Sequence, residues 1–277
     1  MTTSDLPVPS FDRSARAVQV VAHRGSSAAL PEHTLAAYRR ALEEGADAVE
    51  CDVRLTADGR LVCVHDRTVS RVSNGRGVVS TLTLAQLEAY DFGSWKAGAE
   101  GSATDPEQHS VLRLESLLEL VADCGRRVDL AIETKHPVRY RGRVEAELLR
   151  VLDRFKIIGD PAEATDRPHA RIMSFSGLAV GRVRDAAPQY PRVYLFERTL
   201  PLRLWPGGGL PGGAAIAGPG IDLVRRRPEL VTELRAAGHR VHVWTVDRPQ
   251  DVELCLELGV EAIITNRPRA VLDQLGR

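Results

Sequence analysis

Short, almost wholly apolar runs recur along this chain, and most are followed by a segment whose apolar residues return at the helical period. The runs are AVQVVAH (17–23), DAVECDV (47–53), VDLAIET (128–134), ARIMSF (170–175), RVYLFE (192–197), AAIAG (214–218), RVHVWTV (240–246) and EAIITN (261–266). Strands that alternate apolar and polar residues suit a sheet with one wet face. Continuous apolar runs suit parallel strands buried on both sides. Strand–helix alternation with right-handed crossovers is the α/β class. About eight such units in 277 residues predict a (β/α)8 TIM barrel. An open doubly wound sheet is the runner-up, weakened because no GxGxxG follows the first run. The helix after the first run is expected over about 32–44.

Two stretches break the rhythm. Residues 66–114 are too long for a simple βα loop. They contain a helix-like TLAQLEAYDF and a polar KAGAEGSATDPEQHS, and predict a small inserted subdomain over the barrel mouth. WPGGGLPGGAAIAGPG (205–220) is too rich in glycine and proline to sustain a helix, so one late crossover helix should be short or missing. Residues 1–16 read as a flexible tail before a barrel domain at 17–277. They lack a basic start and apolar core, and no apolar stretch of about twenty residues follows, so neither a secretion leader nor a transmembrane segment is expected and the cytoplasm is the expected location. Lys+Arg and Asp+Glu both number 37. That balance offers no basic field for nucleic acid and favours a small-molecule substrate. None of the four cysteines has CxxC spacing, which reads as buried, reduced thiols.

In such a barrel, chemistry sits at the carboxyl ends of the strands. The first strand end offers His23 and Arg24, the second Glu50 and Asp52, the nearby LVCVHD His65 and Asp66, the third Glu133 and Lys135, the fourth Ser174 and Phe175, and the seventh Trp244. Glu50 and Asp52 share one strand face, with Cys51 on the other, and Glu133 and Lys135 repeat the spacing. Carboxylates converging from neighbouring strands repel unless one takes a proton or a cation neutralises them. Glu50, Asp52 and Glu133 form most of an oxygen shell for a hard divalent ion, Mg2+ or Ca2+. His23 and His65 can exchange protons near neutral pH. Arg24 and Lys135 add fixed positive charge suited to a phosphate. Together these favour phosphoryl transfer over acyl or hydride chemistry. No GxSxG or HExxH occurs. His33, His109, His136, His169, His239 and His242 read mostly as structural or exposed.

The block AHRGSSAALPEHTLAAYRRALEEGADAVECDVRLTADGRLVCVHD (22–66) resembles the glycerophosphodiester phosphodiesterases. That family shows HRG, a PENT-like turn, GAD-x-x-E-x-D, T-x-DG and V-x-HD. IETK (132–135), MSF (173–175), VWTV (243–246) and GVEAIITNRP (259–268) follow in order, so the resemblance spans about 17–270. It implies a TIM barrel with a small extra module after His65. It implies hydrolysis of glycerophosphodiesters to glycerol 3-phosphate and an alcohol. His23 and His65 match the general acid/base pair, and Glu50, Asp52 and Glu133 match the divalent-metal ligands. Arg24 and Lys135 match the phosphate-contacting cations, and Phe175 and Trp244 match positions lining the substrate groove.

The chain departs from the pattern in places. His33 stands where Asn is usual, and Glu261 and Asn266 replace aspartates in the closing motif. The first reads as a tolerated swap at a helix start, the sharper alternative being altered surroundings near Glu32. The Asn266 change is expected to alter the substrate rim, and it puts neither the metal ligands nor the histidine pair in doubt. A lysophospholipase D activity is the enzymatic alternative. It would favour an apolar lip, for which Phe92 and Trp95 are candidates, although both suit the core of the insertion better. A catalytically silent phosphate-ligand-binding barrel is the alternative outside enzymes. The alcohol, the choice of ion, which histidine is the acid and the oligomeric state are left open by the sequence.

Overall fold

Eight strands run parallel and close on themselves in the computed structural model, which describes residues 18–96, 98, 105–159, 167–198 and 209–277. They are β1 (Gln19–His23), β2 (Ala48–Leu55), β4 (Asp129–Thr134), β5 (Ala170–Ser174), β6 (Arg192–Phe196), β7 (Ile216–Pro219), β8 (Arg240–Val243) and β9 (Ala262–Thr265). The pairing of β1 with both β9 and β2 completes the barrel. β3 (Leu61–Cys63) folds back antiparallel on β2 and is not a barrel stave. The eight apolar runs are the eight staves, as their composition predicted.

Alternation along each stave separates two cores. Val21, Ala48, Ala131, Met173, Val193, Leu195, Ile216 and Ile264 pack together in one cluster. Their neighbours, such as Val49, Cys51, Leu130 and Ile132, pack in another with helical residues such as Leu117 and Leu148. Continuing the first set along the strands places His23, Glu50, Asp52 and Glu133 on the barrel-interior face, toward the carboxyl ends.

Helices α1 (Leu35–Glu43), α4 (Leu114–Ala122), α5 (Arg143–Arg154), α6 (Gly177–Ala186), α7 (Ile221–Arg226), α8 (Glu229–Ala236), α9 (Pro249–Glu257) and α10 (Pro268–Gln274) follow the staves, with α2 (Leu84–Glu88) and α3 (Pro106–His109) between β3 and α4. α1 starts later than expected. Thr34 caps it by accepting from the Ala37 N–H, and His33 at φ 59° lies outside any helix. Between β6 and β7 the described residues hold one 3-10 turn, Pro211–Gly213, and no α-helix. The Gly/Pro run explains that shortfall, although its residues 205–208 lie outside the described residues, as does the 1–16 tail.

The segment between β3 and α4 has its own small core of Val64, Val69, Val72, Val79, Leu87, Phe92 and Val111, with Trp95 packed against it. Its Lys96 Nζ donates to the Ser27 carbonyl (2.6 Å), tying it to the loop after β1. That loop turns at Gly25, where φ is 85° and an added Cβ would sit 2.6 Å from the Ala37 carbonyl carbon.

Candidate active site

Register brings the charged residues together. His23 is paired with Glu50 across β1–β2, and Asp52 with Glu133 across β2–β4. Oxygens of Glu50, Asp52 and Glu133 lie within 4.8 Å of one another, and all three residues are buried. Two cations compensate them. Arg24 Nε is 3.0 Å from Asp52 Oδ2. Lys135 Nζ is 2.8 Å from Glu133 Oε1 and 3.4 Å from Asp52 Oδ1. The Arg24 backbone N–H also donates to Glu50 Oε2 (3.1 Å).

The three carboxyls differ in proton affinity. Burial and the Asp52 charge push Glu50 well above the usual carboxylate range. The same two causes push Glu133 up to about 8. Burial opposes ionisation of Asp52 too, but Arg24, the His33 hydrogen bond and Lys135 hold it well below its ordinary value. Were all three carboxyls ionised, two cations would leave an excess negative charge; buried Asp52 Oδ1 accepts no hydrogen bond and has only the Lys135 ammonium near it, at 3.4 Å. A hard divalent cation fits this oxygen set: it neutralises the excess and takes the orphaned lone pairs.

The two histidines line the same cavity as Glu50, Glu133, Lys135, Phe175 and Trp244. His23 Nε2 is 3.9 Å from Glu50 Oε2. Burial, then Arg24, lowers His23 to about 3, so it is neutral at pH 7. His65 is lowered by burial as well, yet its side chain is 34% exposed and its Nδ1 is 2.7 Å from Asp66 Oδ1. Arg71 clamps Asp66 and Glu32 together, and Arg54 holds the His65 carbonyl through two hydrogen bonds. Phe175 and Trp244 meet edge to face at 5.4 Å, and Lys135 Nζ lies 5.7 Å from the Phe175 ring centre. Of the eleven residues named at the strand ends, the nine that match the family's site positions are thus brought to one end of the barrel.

Three expectations are refined by the structure. His33 is more than a swap at a helix start. It is buried, its Nε2 is 2.9 Å from Asp52 Oδ2 and its Nδ1 is 2.8 Å from the Tyr38 hydroxyl. The left-handed backbone turns its ring back onto a carboxylate of the centre. Asn266, expected only at the substrate rim, also contacts the histidine pair: Oδ1 accepts from His23 Nδ1 at 2.7 Å. Of the two aromatics weighed as an apolar lip, Phe92 is core, whereas Trp95 reaches a cavity beside His23. Glu261 lies at the opposite barrel end, paired with Arg240.

Asn266 fixes the proton on His23. Its Nδ2 donates to Asp247 Oδ2 (2.6 Å), and its own backbone N–H donates to Asp247 Oδ1 (2.8 Å). That anchors the amide with Oδ1 toward His23, where Ser27 also donates to it (2.8 Å). An acceptor at Nδ1 makes that nitrogen the donor. The lone pair of the neutral ring is then on Nε2, the nitrogen 3.9 Å from Glu50. The Asp247–Asn266–Ser27 arrangement had no sequence signal, because it joins two loops 239 residues apart.

Comparison with known proteins gives a consistent answer. A sequence profile of the glycerophosphoryl diester phosphodiesterase family matches residues 23–270. A Mycobacterium tuberculosis protein named "Probable glycerophosphodiester phosphodiesterase 1" is 50% identical over 251 residues, covering 90% of this chain and 89% of that one. A Bacillus subtilis glycerophosphodiester phosphodiesterase is 32% identical over 91% of this chain and 84% of its own. An Oleispira antarctica phosphodiesterase, solved in complex with the product sn-glycerol-3-phosphate, superposes with a TM-score of 0.77. It is 26% identical, covering 94% of this chain and 97% of that chain.

Proposed function

The chain belongs to the glycerophosphoryl diester phosphodiesterase family and is a phosphodiester hydrolase yielding glycerol 3-phosphate; from that premise we propose that His23 and His65 carry its proton transfers beside a divalent ion held by Glu50, Asp52 and Glu133. The observation that carries the proposal is the buried three-carboxylate group with an imidazole Nε2 at its edge. The ion, Mg2+ or Ca2+, would neutralise charge on the phosphoryl group and acidify a hydroxyl beside it.

The chain's own residues supply the rest. Arg24 and Lys135 bring fixed positive charge to the phosphate oxygens. Phe175 and Trp244 give the carbon skeleton of the glycerol an apolar wall. In the first step the neighbouring glycerol hydroxyl attacks phosphorus, and His23 Nε2 takes its proton. The bond to the alcohol oxygen breaks as His65 donates a proton to it, leaving a cyclic phosphate. In the second step water attacks, His65 takes its proton, and His23 returns its own to the departing glycerol oxygen. His23 suits the first base because burial keeps it neutral and Asn266 keeps Nε2 bare. His65 suits the first acid because it is the more exposed of the two histidines and Asp66 at Nδ1 offsets part of the lowering that burial causes.

Water-soluble diesters fit better than lysolipids. Among the described residues the large exposed apolar side chains are Phe175, Leu178 and Leu256, and of these Phe175 lines the cavity with the carboxylates. Replacing His23 or His65 with Ala should lower turnover of glycerophosphodiesters by at least about a hundredfold with unfolding midpoints preserved. Near-normal turnover in either folded variant would remove that residue from the mechanism.

A further inference from the structure

Two cavities meet at His23 and Arg24, and they differ in size and lining. The one holding Glu50, Glu133, Phe175 and Trp244 has a volume of about 80 Å3, enough for a short arm such as glycerol phosphate. The other has about 340 Å3 and opens between the loop after β1, the Trp95–Lys96 corner of the inserted segment, and the loop after β9. A phosphodiester has two arms. With its phosphorus beside His23 and its glycerol arm in the small cavity, the alcohol arm has the large one to enter.

The charges of the large cavity are unequal in availability. Its two carboxylates are already engaged. Glu32 is held by Arg24 (3.0 Å) and Arg71 (2.7 Å). Asp247 accepts from the Thr265 hydroxyl and twice from Asn266. Two of its cations are not engaged with any carboxylate among the described residues. Lys96 Nζ donates to the Ser27 carbonyl and lies 5.9 Å from the Trp95 ring centre. The exposed Arg267 guanidinium forms no hydrogen bond or ion pair among the described residues. The unspent valence is therefore cationic, and the donors are an ammonium and a planar guanidinium, which suit an anionic oxygen cluster.

We propose that this cavity is the subsite for the leaving alcohol and that Lys96 and Arg267 select alcohols carrying their own anionic group, a phosphorylated polyol above all, over neutral or quaternary-ammonium alcohols. The proposal rests on the phosphodiesterase reading above and adds its substrate class. Trp95 supplies a flat wall for the carbon ring of a polyol, while Lys96 and Arg267 meet its phosphate. A choline group would find both cavity carboxylates occupied and two free cations facing it.

The test compares glycerophosphoinositol 4-phosphate, glycerophosphoinositol and glycerophosphocholine by kcat/KM on the metal-loaded protein. The first two share a ring and differ in one phosphate. We expect the phosphorylated diester to be favoured about tenfold over its unphosphorylated match, as one charge-assisted contact allows. Lys96→Gln with Arg267→Gln should bring that ratio near one, Lys96→Arg should keep it, and Lys96→Glu should shift preference toward the choline diester. A wild-type ratio near one, or a ratio unmoved in the double variant, would overturn the subsite while leaving the hydrolase reading intact. Cleavage of none of the three diesters would overturn that reading and the subsite with it.

Discussion

Stripping divalent ions from the three-carboxylate centre should uncover a component of folding stability that falls as pH rises through neutrality. In the ion-free protein Glu133 is pushed up to about 8 by burial and by the Asp52 charge, against 4.5 for an ordinary glutamate. Between these values Glu133 binds more protons in the folded state than in the unfolded chain, so its contribution to stability decreases with pH. Buried histidines work the other way. His23, His33 and His242 all lie below 6.5, and each adds stability as pH rises toward that value. At pH 6.5 each unfolded histidine is still half protonated, so over pH 6.5 to 8 the histidines offset much of the Glu133 effect, which is isolated by comparing the wild type with Glu133→Gln, since both carry the same histidines. Integrating the Glu133 proton from pH 6.5 to 8 gives on the order of one proton·pH unit, or roughly 1–2 kcal/mol. For a chain of this size that is a Tm component of a few degrees. Glu50, raised for the same reasons, adds in the same direction. Thermal melts of both proteins in chelator at pH 6.5 and pH 8 measure the component directly. Saturating Mg2+ or Ca2+ should remove the Glu133 component, because the ion then replaces the proton, and Glu133→Gln in chelator should gain stability from pH 6.5 to 8 relative to the wild type. The same pH dependence of Tm in chelator for the wild type and Glu133→Gln would refute the reasoning.

Asn266→Ala should cut kcat by about tenfold to a hundredfold, since it frees the His23 tautomer; 15N shifts of His23 should change from a single Nδ1–H form to a mixture. His242→Leu should make the acid-side loss of stability below pH 6.5 shallower, because burial, then Arg171 and Arg240, keep His242 neutral in the fold and protons favour the unfolded chain. Gly25→Ala should cost roughly 3 kcal/mol in urea unfolding, from the left-handed backbone at φ 85° and the 2.6 Å approach to Ala37.

The barrel was legible because buried parallel strands require continuous apolar runs, and all eight runs became staves. Glu50, Asp52 and Glu133 were legible for a related reason: a period of two on adjacent strands forces inward carboxylates together. What surrounds them was not. His33 reaches Asp52 only because its backbone is left-handed, which no spacing rule reveals. Asn266 reaches His23 because barrel closure brings β9 beside β1, a contact 243 residues long in sequence. Lys96 meets the loop after β1 through an insertion whose docking depends on its own small core.

The most direct measurement of the central claim is release of sn-glycerol 3-phosphate from a glycerophosphodiester, followed before chelation, in chelator and after Mg2+ or Ca2+ is restored, with Glu50→Gln alongside. We expect release by the wild type, its loss in chelator, its recovery with the ion, and none from Glu50→Gln under any condition. Release that persists in full in chelator, or that Glu50→Gln retains, would contradict the three-carboxylate centre as the seat of the reaction.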